Sequence, residues 1–364
     1  FGMEGMFRQV GIYAPQGQLY EPVDADQLAY YREETHGQIL QEGISEGGAM
    51  SSWIAAGTSY SNHGVNMIPF FIFYSMFGFQ RIGDLIWAAG DMQAKGFLLG
   101  ATSGRTTLNG EGLQHQDGHS HLVSSTVPNC VSYDPTFGYE LAVVMHDGLR
   151  RMYQENEKVF YYITLLNENY EHGALPEGAE EGIRKGMYLL EEAPQTDAEA
   201  PRVQLLGSGS ILREVQEAAH LLADRFGVTA DVWSVPSFSE LARDGNSCER
   251  WNRLHPDEEA RTSYVSECFD GRSGPVVAST DYVRAVSEQI RAWVPGQYVT
   301  LGTDGFGRSD TRERLRSFFE VDRHSVVLAT LKALADEGKV PAETVGEAIE
   351  MFDIDTEGPD PWTV

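Results

Sequence analysis

The sequence predicts an α/β protein built from two doubly wound domains, and three observations carry that expectation. Short apolar runs alternate with helix-like stretches along most of the chain, the pattern left by parallel strands covered on both faces. The chain holds 364 residues, more than one hydrophobic core comfortably organises. A composition break at PEGAEEG (176–182), followed by the Pro/Ala/acid stretch EEAPQTDAEAPR (191–202), interrupts the series. The second stretch packs no core and is expected to be an exposed loop. The break divides the chain into expected domains 1–175 and 176–364.

In the first domain PFFIFY (69–74), GFLLGATS (96–103), NCVSYD (129–134) and KVFYYITLLN (158–167) read as strands, because β-branched and aromatic residues crowd into runs too short for a helix. Helices are expected over 49–57, 81–92 and 139–153. The last has Asp134 as its cap, Pro135 in its first turn, and Leu141, Val144, Met145 and Leu149 on one face. In the second domain VQLLGSGS, ILREVQEAAHLLADRFG and ADVWSV form a strand, helix and strand, with Ile211, Val215, Ala219 and Leu222 aligned. PVVAST (275–280), a helix over 281–294, YVTLGTDGFG (298–307) and a helix over 324–338 extend it. No internal repeat and no low-complexity tract occurs.

Hydrophobic residues make up 41% and aromatics 11%, enough apolar surface to offset chain entropy. Asp and Glu number 54 against 27 Lys and Arg, a formal net charge of -27. Such a field repels phosphate backbones and anionic head groups, which argues against nucleic acid and membrane surfaces as partners. The longest apolar run, 67–79, falls short of the roughly 20 residues that span a bilayer. Three cysteines without a CxxC pair suit a reducing compartment, so the cytoplasm is expected. The opening FGMEGMF has no signal-peptide pattern and reads as the interior of a longer polypeptide.

Chemistry concentrates in a few stretches. GSGS (207–210) sits between a strand and a helix, where phosphate cradles lie, but it lacks the P-loop lysine and the full GxGxxG spacing; plain turn geometry is the simpler reading. GTDGFGRSD (302–310) has no second acid at calcium-loop spacing and reads as a structural turn. GEGLQHQDGHSH (110–121) holds His115, His119 and His121. Two histidines two apart on a strand share a face, so a zinc site is one reading; a set of titratable groups around a substrate pocket is the other. Glu42 and Glu46 in QILQEGISEGGAM read, taken alone, as solvated acids at a helix start. The aromatic run from Phe70 to Phe79 is either core or a platform for a flat heteroaromatic ring.

GISE (43–46), the aromatic run ending FGFQRIGDLI, and GEGLQHQDGHSH, in that order, resemble the pyrimidine-binding domain of transketolase-related thiamine-diphosphate enzymes. Within that group the likeness is to the homodimeric bacterial pyruvate dehydrogenases. NCVSYDP, MHDGLRRMY, NENY, PEGAEEGIRKG, LLGSGSILREV, ELARDG, CERWN and LGTDGFGRSD extend it over essentially the whole chain. The resemblance implies a pyrimidine-binding domain, incomplete at its start, followed by a transketolase-type C-terminal domain. It also implies decarboxylation of pyruvate on thiamine diphosphate and transfer of the acetyl group to the lipoyl domain of dihydrolipoyl acetyltransferase by a homodimer.

On the same basis Glu46 is the catalytic carboxylate that hydrogen-bonds the aminopyrimidine ring. Tyr74 and Phe77 flank that ring, and Ile44 lines the cofactor. His115 is a second catalytic residue that faces the substrate, where it recognises the carboxylate or supports transfer to the lipoyl group; His121 lies near the same pocket, and Glu111 is close enough in sequence to tune His115. The family's diphosphate and magnesium motif, GDG followed by Asn, does not occur here. The magnesium ligands are therefore expected on another domain, and the 364 residues alone are expected to be inactive. A non-catalytic assembly module that keeps the fold is the alternative.

Overall fold

Most runs without polar alternation become strands buried along their length, while Phe70–Tyr74 is exposed at both ends. The computed structural model describes residues 4–23, 25, 31–193 and 200–364. A two-residue parallel pair, β1 (Ile12–Tyr13) and β2 (Glu33–Glu34), precedes the main sheets. The first of these holds β3 (Phe70–Tyr74), β4 (Phe97–Ala101), β5 (Cys130–Tyr133) and β6 (Phe160–Thr164) in the order β3-β4-β6-β5, all parallel. Every residue of β4, β5 and β6 is buried, as strands covered on both faces require. Helices Glu46–Gly57 and Phe79–Asp91 cover one face through Trp53, Ile82 and Ile86 against Leu98 and Tyr162. Helix Gly138–Leu149 covers the other, through Val144 against Phe97, Leu99 and Tyr161.

The second main sheet holds β7 (Tyr188–Glu191), β8 (Arg202–Gly207), β9 (Thr229–Ser234), β10 (Val276–Ser279) and β11 (Tyr298–Leu301). Its order is β11-β10-β8-β9-β7, parallel except where β7 runs antiparallel to β9. Alternate residues feed opposite cores. Val203, Leu205 and Val277 pack under helices Ile211–Phe226 and Arg323–Asp336. Leu206, Val276 and Ala278 pack against Phe238, Leu241, Val286 and Ile290. The molecule is thus doubly wound twice, as the alternation of the sequence predicts.

The structure corrects several details. Asp134 does not cap the helix after β5; Phe137 is the N-cap, and the buried Glu140 carboxylate reaches back to accept the backbone N–H groups of Thr136 at 2.5 Å and Phe137 at 3.1 Å. The expected helix over 281–294 is reduced to Ala285–Glu288 and a 3-10 turn at Arg291–Trp293. Its first amides are committed elsewhere: the Val283 N–H donates to Gly118 O at 2.7 Å and that of Arg284 to an Asp304 carboxylate oxygen at 3.1 Å. Helix Phe238–Leu254 has no counterpart in the sequence reading. Gly245 weakens its pattern, yet a Cβ there would stand 2.3 Å from the Trp293 ring, so the glycine is a packing requirement. PEGAEEG leads directly into a helix, Ala179–Lys185. Within the expected loop 191–202 both end residues belong to strands, and 194–199 lie outside the described residues. No helix among the described residues is long and apolar enough to cross a membrane.

Candidate functional site

In open parallel sheets, reactive groups gather beyond the carboxyl ends of the strands. Tyr74 is the last residue of β3 and pairs in register with Ala101, the last of β4. Phe77 follows in the turn after β3, and the 102–119 segment follows β4. Adjacent strand ends therefore bring the aromatic run and the histidine stretch to one place. The ring centroid of His115 lies 5.3 Å from that of Tyr74 and 5.0 Å from that of Phe77, and the two aromatic rings are 6.1 Å apart.

Glu46 reaches this cluster through Arg81. It occupies the first position of its helix, whose start is capped by Ser45 Oγ accepting the Gly48 N–H at 3.2 Å. The positive end of the helix dipole favours a carboxylate there. Arg81 Nη1 donates to Glu46 Oε1 at 3.2 Å, while its guanidinium carbon stands 3.9 Å above the Phe77 ring centre. Nothing in the sequence pattern marks Arg81 for this role, because Glu46 and Phe77 meet only in three dimensions. Ile44 is fully exposed, Tyr74 is 43% exposed, and Glu46 is half-buried. The cluster is an open wall and not a closed pocket.

Glu111 Oε2 lies 2.9 Å from His115 Nδ1, but that nitrogen has no aligned hydrogen-bond partner. The two side chains are close in space without an aligned hydrogen bond between them. His121, expected near the same pocket, has other partners. It is buried, with Nδ1 2.7 Å from Ser132 Oγ and Nε2 2.9 Å from Thr164 Oγ1. Burial pushes its imidazole below the ordinary value, against the opposing pull of Asp134 and Asp117. His119 is the N-cap residue of the short helix Ser120–Ser124. Among the described residues no three His, Cys, Asp or Glu side chains are grouped to hold a metal ion.

The residues between the two sheets were not legible as a unit. Asp134 accepts hydrogen bonds from Thr164 Oγ1 at 2.6 Å, Tyr282 OH at 3.0 Å and Ser208 Oγ at 2.9 Å. Gly209 of GSGS, at φ 51°, presses on the same carboxylate, and a Cβ there would stand 2.6 Å from its Oδ2. Thr136 Oγ1 donates to the Gly209 carbonyl at 2.8 Å. The polar groups of GSGS are thus spent on the contact between the two sheet units, in keeping with turn geometry. GTDGFGRSD plays a similar part: the Arg308 N–H donates to Gln116 Oε1 at 2.6 Å, and the Gly110 N–H to Asp310 O at 3.2 Å.

Arg81 also tests whether a heteroaromatic ring suits the wall. The planar Arg81 guanidinium has its carbon 3.9 Å from the Phe77 ring centre and donates to Glu46, so one planar nitrogen-bearing group can meet the aromatic face and the carboxyl group together. Glu46 and Phe77, a carboxylate beside an aromatic face, fit such a ring.

Residues 1–173 match the family described as pyruvate dehydrogenase E1 component middle domain, and residues 186–322 match the transketolase-like TK C-terminal domain. The chain is 66% identical over 362 residues to the pyruvate dehydrogenase E1 component of Pseudomonas aeruginosa, covering 99% of this chain and 41% of that protein. It is 61% identical to the Escherichia coli K12 protein of the same name, covering 99% and 40%. The chain therefore spans about two fifths of the length of the curated relatives it matches. Among solved structures, transketolase from Leishmania mexicana superposes with a TM-score of 0.62 at 18% identity, over 93% of this chain and 45% of that one. A split-gene transketolase, described as an inactive beta4 tetramer, superposes with a TM-score of 0.57 at 15% identity, over 92% of this chain and 94% of that one. These likenesses bear out the transketolase-like α/β fold, and the chain belongs to the pyruvate dehydrogenase E1 component family.

Proposed function

We propose that this chain supplies the pyrimidine-side and substrate-side wall of a thiamine-diphosphate site in an acetyl-transferring pyruvate dehydrogenase. The observation that carries the reading is that Arg81 joins Glu46 to Phe77 while Tyr74, Phe77 and His115 pack ring to ring. When bound, thiamine diphosphate supplies the carbon nucleophile that adds to the keto carbon of pyruvate. Glu46 Oε1 holds or releases a proton at the ring nitrogen in place of the Arg81 contact. Tyr74, Phe77 and Ile44 orient the ring by apolar contact. His115 donates a hydrogen bond to the substrate carboxylate, and Glu111 Oε2 stands 2.9 Å from its Nδ1.

Magnesium and the diphosphate are held by residues outside this chain, contributed across a homodimer. The acetyl group passes to the lipoyl domain of dihydrolipoyl acetyltransferase in the cytoplasm. On this reading the 364 residues alone do not turn over, and activity needs the remaining length of the relatives, in cis or in trans. Glu46→Gln in that complete system is expected to lower turnover by roughly 10²- to 10⁴-fold, the usual contribution of a positioned acid–base group. Undiminished turnover in Glu46→Gln, or pyruvate decarboxylation by the 364 residues alone, would overturn it.

A further inference from the structure

We propose that Gln116 is a positioning residue for His115, and that the unit built on the second sheet sets the histidine's place through it. The inference rests on the substrate-facing reading of His115 given above. Gln116 is buried, 1% exposed, and neither end of its amide is free. Its Oε1 accepts the Arg308 N–H at 2.6 Å, and its Nε2 donates to the Leu108 carbonyl at 2.6 Å. One side chain thus ties the start of the histidine stretch to the GTDGFGRSD turn, across 192 positions of sequence.

The approach is close enough to restrict what stands opposite. A Cβ on Gly307 would lie 2.6 Å from Gln116 Oε1 and 2.8 Å from its Cβ. A Cβ on Gly112, at φ 71°, would lie 2.6 Å from Ser309 Oγ. Both glycines permit backbone contact that no side chain would allow. The turn between Gly112 and Gln116 is closed by the Gly112 carbonyl, which accepts the N–H groups of His115 at 3.3 Å and Gln116 at 3.2 Å. His115 therefore rides on a turn whose far side is fastened to the other unit. Its own ring adds no aligned hydrogen bond at Nδ1 to hold it. What fixes the ring against Tyr74 and Phe77 is the backbone beneath it, and Gln116 fixes that backbone.

The experiment is histidine ring NMR on the 364-residue chain with labelled histidine, His115 being assigned by its loss in His115→Gln. A ring 5.0 Å from Phe77 and 5.3 Å from Tyr74 carries ring-current shifts that report its place. Gln116→Ala, Gln116→Met, which keeps the volume without the hydrogen bonds, and Gly307→Ala, in the other unit, are all expected to remove those shifts while the remaining histidines keep theirs. An unmoved His115 resonance in folded Gln116→Met and Gly307→Ala would overturn the proposal.

In the complete enzyme, Gln116→Met is expected to lower kcat/KM for pyruvate by about 10²-fold, as misplacement of a reacting group by about 1 Å does. It should cause no further loss in a His115→Ala background. A loss of equal size in both backgrounds would show a merely structural role and overturn the proposal. Failure of Glu46→Gln to affect turnover would instead remove the functional reading and leave the ring-shift result standing.

Discussion

Asp281 carries a load that can be measured. Its carboxylate lies just beyond β10 and accepts four hydrogen bonds from the segment after β4: the Thr106 N–H at 2.8 Å and hydroxyl at 2.7 Å, and the Thr107 N–H at 3.0 Å and hydroxyl at 2.5 Å. In Asp281→Ala the two hydroxyls can turn elsewhere, that of Thr107 toward Ser210, with which it is already paired. The two backbone N–H groups cannot. Each buried donor left without an acceptor costs about 1–3 kcal/mol. Part of this is returned, because burial pushes the Asp281 carboxyl above its ordinary value and its removal relieves that desolvation. A net destabilisation of about 2–4 kcal/mol is expected.

Asp281→Asn keeps one acceptor oxygen for Thr106 and turns an NH₂ group toward the Thr107 amide, so about 1–3 kcal/mol is expected. Urea unfolding followed by tryptophan fluorescence measures both. Hydrogen exchange should rise over 105–121 before it rises in β8 or β9. A value for Asp281→Ala within about 0.5 kcal/mol of the parent, the range of an inconsequential substitution, or an Asn variant weaker than the Ala variant, would refute the reasoning.

Two further outcomes follow from single positions. His121 is held below its ordinary value of 6.5 by burial, so as pH falls through that value the unfolded chain takes up a proton that the folded chain does not. Its contribution to stability is complete above about pH 6.5 and is lost as pH falls toward the folded value, at no more than about 1.4 kcal/mol per pH unit. His121→Gln should flatten that part of the pH profile of urea midpoints, and an unchanged slope would show that other groups set it. A Cβ on Gly274, at φ 90°, would stand 1.6 Å from the Arg202 carbonyl oxygen, whereas one on Gly271, at φ 71°, would meet open space. Gly274→Ala should cost at least about 2–5 kcal/mol from backbone and overpacking together, and Gly271→Ala about 1–2 kcal/mol from backbone alone. Thermal unfolding of the pair decides, and equal losses would count against the contact.

Much of the fold was legible because strands and helices leave local periodicity. FLLGA and FYYIT are apolar almost throughout, and both are buried on two faces. ILREVQEAAHLLADRF repeats its apolar residues at helical spacing, and the helix spans Ile211–Phe226. Periodicity failed where distant partners claim backbone groups, as at 281–294, or where a glycine serves a neighbour, as at Gly245. The resemblance supplied Glu46, Tyr74, Phe77 and His115, and the structure explains the meeting of the last three by the register of β3 with β4.

The sequence by itself determined the two sheet units, the aromatic run and the histidine stretch, because each depends on residues within a few positions of one another; the helix expected over 49–57 begins earlier, at Glu46. Only the tertiary structure decided that Arg81 lies between Glu46 and Phe77, that His121 belongs to a buried hydroxyl network, and that Asp281 and Arg308 hold the segment bearing His115. The reason is physical: these contacts join segments whose separation in sequence carries no period, so their energy exists only once packing has brought those segments together, within the first unit for Glu46–Arg81 and His121 and between the two units for Asp281 and Arg308.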